Sequence, residues 1–126
     1  MAKKIMIVDD SSSIRGQLRF TLTQGGYEVI EAEDGQDALT KLRKNQDVAM
    51  VLCDVNMPRM NGVEMLEALA LQSGTRPPVV MLTTEGAADL IQRAKKAGVR
   101  GWIVKPFIPD LLLAAVRKLA GEARAA

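Results

Sequence analysis

Four short apolar runs in this chain each stop on a polar group. Lys4-Ile5-Met6-Ile7-Val8 stops at Asp9 and Asp10, and Val48 to Cys53 stops at Asp54. Val79-Val80-Met81-Leu82 stops at Thr83, and Trp102-Ile103-Val104 stops at Lys105. Between these runs lie segments of helical period, and the alternation predicts successive βα units. Ser11, Ser12 and Ser13 offer N-cap oxygens. Ile14, Leu18 and Leu22 follow at four-residue spacing, and Gly25-Gly26 closes that helix. Tyr27 to Glu31 reads as a half-buried edge strand. Asp34-Gly35 opens a second helix carrying Ala38, Leu39 and Leu42, and Asn61-Gly62 leads to a third with Val63, Leu66, Leu69 and Ala70. A turn at Ser73 to Pro78 precedes the fourth strand. A fourth helix is expected over roughly Ala87 to Ala97, ending at Gly98. Pro109 sits in the favoured first turn of a last helix running from Leu111 to Ala120, and the tail from Gly121 to Ala126 is expected to fray.

Five βα units make an α/β fold with a parallel sheet. The first and third runs are apolar at nearly every position, so they should be central and adjacent. Five polar groups then meet at the carboxyl edge of the sheet, where open α/β sheets bind ligands. A lone Asp at a strand end is ordinarily a turn former or a cap, and a lone Lys is ordinarily solvated. Five such groups at four strand ends are hard to explain that way.

Asp9, Asp10 and Asp54 would repel one another unless a cation intervenes. Mg2+ suits hard oxygens, takes one or two carboxylates and keeps exchangeable waters. Phosphoryl transfer needs positioning and charge neutralisation above all. Lys105 supplies a positive charge, Thr83 a hydroxyl donor, and Asp54 a nucleophile able to form an acyl phosphate.

Composition narrows the chemistry. The chain has 126 residues, 48% hydrophobic and 25% charged, as expected for one domain spanning 1–126 with its core at about 4–120. Its net charge of +2 is too small to argue for DNA or an anionic membrane. The basic start is too short for a signal peptide and no apolar stretch approaches a membrane span, so a cytoplasmic protein is expected. The single cysteine, Cys53, allows no internal disulfide and reads as a small buried hydrophobe. With no histidine anywhere, Ser-His-Asp and Cys-His chemistry and histidine-ligated metals are excluded.

At these residues the chain resembles the receiver domains of bacterial two-component response regulators. The motifs are Asp9-Asp10-Ser11, Asp54-Val55-Asn56-Met57-Pro58 with Asn61-Gly62, Thr83, and Lys105-Pro106-Phe107. The resemblance implies a flavodoxin-like doubly wound sheet of strand order 2-1-3-4-5. It implies that Asp54 is the phosphoacceptor and Asp10 a direct Mg2+ ligand, with Asp9 acting largely through water and Asn56 giving its backbone carbonyl. Thr83 would be the switch hydroxyl and Lys105 the phosphate-pairing lysine. Trp102 lies where the family has a switch aromatic, commonly Tyr or Phe, and so departs from the pattern. Asn56 and Glu85 match the residue types that tune dephosphorylation in the chemotaxis regulators.

No effector domain is expected beyond the last helix, and in this the chain resembles the stand-alone CheY-like regulators. The implied partners are a histidine kinase or its phosphotransfer domain, and a downstream protein such as a flagellar switch component, another motility protein or a phosphatase. A monomer is expected. The surface of the fourth helix, basic through Arg93, Lys95, Lys96 and Arg100, lies where the family docks partners. A phosphate sink or relay carrier is the alternative. A haloacid-dehalogenase-type phosphatase would need an acid two residues after the nucleophile, where Asn56 stands, so no external turnover is expected. A flavodoxin-type cofactor carrier is disfavoured by the acidic first loop.

Overall fold

The computed structural model describes residues 2–57, 60–72, 76–83 and 88–123. Among them, strands and helices alternate as β1 (Lys4–Val8), α1 (Ser12–Gln24), β2 (Glu28–Ala32), α2 (Gly35–Lys44) and β3 (Val48–Asp54). The chain continues through α3 (Gly62–Ala70), β4 (Val79–Thr83), α4 (Ala88–Lys96), β5 (Gly101–Val104) and α5 (Pro109–Ala120). All neighbouring strands pair in parallel, in the order β2-β1-β3-β4-β5. This is the flavodoxin-like order expected.

Side chains alternate across a strand, so each apolar run feeds two cores. Met6, Val8, Val51, Cys53 and Met81 face one side, packed with Leu39 of α2 and Leu66 of α3. Ile5, Ile7, Met50, Leu52 and Leu82 face the other, with Leu18 of α1 and Leu112 of α5. Helices therefore cover both faces and leave the strand ends as the place for polar chemistry.

The helix starts follow local chemistry. The Ser11 hydroxyl accepts from the Ile14 amide at 3.2 Å, and the Asp34 carboxylate from the Asp37 amide at 2.8 Å. Asn61 and Glu64 form a reciprocal capping box at 2.8 and 3.0 Å. Pro109 opens α5 without a side-chain cap.

Three expectations need correction. β2 begins at Glu28, one residue late, because the Tyr27 amide donates to the Leu22 carbonyl at 3.0 Å and still belongs to the close of α1. Ala70 is exposed at the end of α3, and Met65, five residues earlier and passed over, is buried. The start of the tail does not fray. The Lys3 amide donates to the Ala123 carbonyl at 2.7 Å, the Lys3 ammonium to Ala120 at 2.6 Å, and the Tyr27 hydroxyl to Gly121 at 2.7 Å. Those bonds satisfy carbonyls that the end of α5 would otherwise leave to water.

Gly62 is required by close approach. Its amide donates to the Val55 carbonyl at 3.0 Å, and a Cβ there would collide with the Asp54 carbonyl. Gly62→Ala should therefore destabilise the protein by about 1–3 kcal/mol, the usual cost of overpacking. Urea unfolding measures this, and an unchanged midpoint would show that the loop after β3 yields freely.

Candidate functional site

Parallel pairing brings the carboxyl ends of β1, β3, β4 and β5 to one edge. Backbone bonds continue past the strands and fix the residues just beyond them. The Asp9 amide donates to Ala32 at 3.1 Å, Val55 to Leu82 at 3.1 Å, and Lys105 to Thr83 at 2.7 Å. Asp9, Asp54 and Thr83 are buried, at 1%, 6% and 2% exposure. Asp10 is exposed.

The ammonium of Lys105 bridges two strands. It lies 2.9 Å from Asp9 Oδ2 and 3.2 Å from Asp54 Oδ1. The other oxygen of Asp9, Oδ1, accepts from the Ser11 amide at 3.0 Å. Carboxylate oxygens of Asp9, Asp10 and Asp54 all lie within 4.8 Å of one another. Three acids against one lysine leave the cluster with an excess of negative charge.

The electrostatics follow from burial and crowding. Asp54 is held above the usual carboxylate range, first by desolvation and then by the charge of Asp9, against the opposing pull of Lys105 and a hydrogen bond from the Asn56 backbone. Burial opposes the charge on Lys105. Its hydrogen bond to Asp9 and the fields of Asp54 and Asp9 outweigh that and raise its pKa. The Cys53 thiol is pushed far up by complete burial and the nearby carboxylates, so it is inert, as the sequence suggested.

The donor set fits a small hard cation. Opposite oxygens around octahedral Mg2+ stand about 4.2 Å apart. A cluster whose oxygens already lie within 4.8 Å needs only a slight contraction, or water in place of one ligand.

The other sequence candidates are placed less fully. Asn56 is exposed in the loop after β3. Glu85 and Pro58 lie outside the described residues. Trp102 is half-buried against the core on the α4 side and stands beside Met81 in the β4–β5 register, two pairs from Thr83 and Val104. Arg93 is tied to Glu67 of α3 at 2.6 and 3.1 Å, so it adds less free charge to the basic surface than its sequence suggests. Lys95, Lys96 and Arg100 are exposed. Arg15 was missed by sequence reasoning. Its guanidinium donates to the Asp9 main-chain carbonyl at 2.6 Å. Its place one turn into the helix after Asp9-Asp10 was the available signal.

No helix among the described residues is long and apolar enough to cross a membrane. Comparison with known proteins places residues 5–117 within the family described as the response regulator receiver domain. A chemotaxis protein CheY homolog of Campylobacter jejuni is 43% identical over 111 residues, 86% of this chain and 85% of that protein. The crystal structure of chemotaxis protein CheY4 of Vibrio cholerae superposes with a TM-score of 0.87 at 42% identity, covering 94% of this chain and 99% of that one. A chain in the CheX–CheY–BeF3–Mg2+ complex from Borrelia burgdorferi gives a TM-score of 0.82 at 28% identity, covering 92% and 87%.

The raised pKa of Asp54 carries a stability consequence. Its ionised form is disfavoured in the fold, so the cost is fully present at neutral pH. The native state takes up its proton before the unfolded state as pH falls, and the cost is relieved across that window. Asp54→Asn should melt higher than wild type at neutral pH without divalent cations. The gap should close as pH falls through the raised pKa. A gap that stays constant with pH would show that Asp54 ionises without penalty.

Proposed function

The chain belongs to the response regulator receiver family and is closely related to the CheY chemotaxis regulators, and we propose that it is a phospho-switched binding protein whose acceptor is Asp54. One observation carries the reading: the Lys105 ammonium, the Asp9 and Asp54 carboxylates and the Thr83 strand end converge at one edge of the sheet, within reach of a single phosphoryl group.

An oxygen of Asp54 attacks the phosphorus of a phosphohistidine on the donor kinase or its phosphotransfer domain. An O–P bond forms, the P–N bond breaks, and the imidazole leaves with the electron pair and takes a proton from solvent. Mg2+ held by Asp10, Asp54 and the Asn56 carbonyl, with Asp9 through water, would neutralise charge on the phosphoryl oxygens. Lys105 shifts its hydrogen bond from Asp54 to a phosphoryl oxygen, and its tie to Asp9 keeps it at the site. The Thr83 hydroxyl donates to another phosphoryl oxygen. Water later hydrolyses the acyl phosphate, with Asn56, exposed in the loop after β3, and the residue type of Glu85 tuning its access.

Output is read on the other side of β5. Val104, Ile108 and Leu111 are 57%, 58% and 64% exposed, a large apolar presence for a small surface. With Trp102, Ile103 and Pro106 they line a groove of about 250 Å³ between β5 and α5. A segment of a downstream chemotaxis protein is the occupant we assign to it. Thr83 and Trp102 share the α4 face of neighbouring strands, so a Thr83 drawn toward a phosphoryl group changes the packing that Trp102 meets.

With a small phosphodonor and Mg2+, wild type should become phosphorylated and Asp54→Asn should not, as mass spectrometry of the intact protein reads. Full labelling of Asp54→Asn would name a different acceptor. Trp102 is the only tryptophan, so BeF3 with Mg2+ should shift its fluorescence in wild type and much less in Thr83→Ala. Identical spectra with and without the mimic would break the coupling of Thr83 to Trp102.

A further inference from the structure

Asp9 is held at four points, and three of them are accounted for by the sheet and the site. Its amide bonds Ala32, its Oδ1 the Ser11 amide and its Oδ2 Lys105. The fourth is its main-chain carbonyl, which accepts from Arg15 Nη1 at 2.6 Å. We infer that Arg15 is a positioning residue that sets the Asp9–Asp10 peptide for divalent-cation binding. This rests on the cation-binding reading of the carboxylate cluster.

The geometry carries the inference. The carbonyl that Arg15 takes belongs to the peptide joining Asp9 to Asp10. A peptide is planar, so fixing that oxygen fixes the Asp10 amide and the position of its Cα. Asp10 is the exposed member of the cluster, two residues beyond the last rung of β1, and the ladder of the sheet does not reach it. Arg15 does what the ladder cannot.

Arg15 is itself aimed. Its Nε donates to Glu31 Oε1 on edge strand β2 at 3.3 Å, and Arg19 holds the other Glu31 oxygen at 2.6 Å. The Glu31 main-chain carbonyl accepts from Lys41 of α2 at 2.6 Å. Arg15 and Glu31 are both largely shielded, at 19% and 31% side-chain exposure, where a charge-assisted bond keeps more of its strength than at an open surface. Glu31 also offsets the guanidinium charge, which standing alone would repel a divalent cation. The pair therefore supplies geometry at little electrostatic cost to the site.

Charge and geometry predict opposite signs. If Arg15 acts only as a nearby cation, removing it should tighten Mg2+ binding. If it positions Asp10, removal should weaken binding, by about 10-fold, the low end of losses seen when outer-shell partners of a metal site are removed. The experiment is Mg2+ titration of wild type, Arg15→Gln and Arg15→Lys by calorimetry, with phosphorylation by a small phosphodonor at saturating Mg2+. Arg15→Gln should bind Mg2+ about 10-fold more weakly yet regain a near-wild-type rate at saturation. Arg15→Lys, which keeps one donor for the Asp9 carbonyl, should fall between. Binding by Arg15→Gln as tight as wild type or tighter would overturn the inference while leaving the site reading intact. A wild type that binds no Mg2+ would overturn the site reading itself. If Arg15→Gln fails to fold, Arg15→Lys decides alone, and wild-type affinity in a folded Arg15→Lys whose lysine is shown by crystallography not to reach the Asp9 carbonyl overturns the inference.

Discussion

The structure turns on two buried carboxylates that share one lysine. Asp9 and Asp54 sit at adjacent strand ends with almost no exposure, and Lys105 spans them at 2.9 and 3.2 Å. Burying like charges together is costly, and one ammonium does not balance three acids. The residual strain shows as the raised pKa of Asp54. A site left short of positive charge and built from hard oxygens favours whatever brings that charge. On the proposed function, a phosphoryl group on Asp54 would compete for Lys105 and change which oxygens it holds.

Everything around this cluster serves to keep it in place. The two-faced core buries β1, β3 and β4 on both sides, so the strand ends have little freedom. The loop after β3 is pinned by the Gly62 amide on Val55, and the loop after β1 by Ser11 and Arg15. The edge strand β2 contributes no side chain to the cluster. It acts through Glu31, which aims Arg15, and through the Ala32 carbonyl, which takes the Asp9 amide.

The opposite edge is built differently. β5 has one neighbour, and its outer residue Val104 is exposed beside Ile108 and Leu111. A strand with one free side and apolar residues beside it can accept a partner without disturbing the core. Val104 pairs directly with Thr83, so the polar edge of the sheet and this exposed apolar surface are separated by a single ladder rung. Trp102, two residues before Val104 and paired with Met81, is half-buried against the core on the α4 side.

Most of the architecture was legible in the sequence because parallel strands buried on both faces read as unbroken apolar runs, and each run here ends abruptly on a polar group. Ser11, Asp34 and Asn61 announced their helices because capping depends on a few neighbouring atoms. The sequence by itself also determined which polar groups stand at the strand ends. It could not place β2 to the residue, since the Tyr27 amide chooses between helix close and ladder only once α1 is packed. Nor could it show the start of the tail bound to Lys3 and Tyr27, since those contacts join residues far apart in the sequence. The division of Lys105 between Asp9 and Asp54, the capture of Arg93 by Glu67, and the grip of Arg15 on the Asp9 carbonyl were decided by tertiary structure alone. Residue type fixes which groups can bond, but the partner of a long charged side chain is settled by which backbone and carboxylate oxygens the fold brings within its reach.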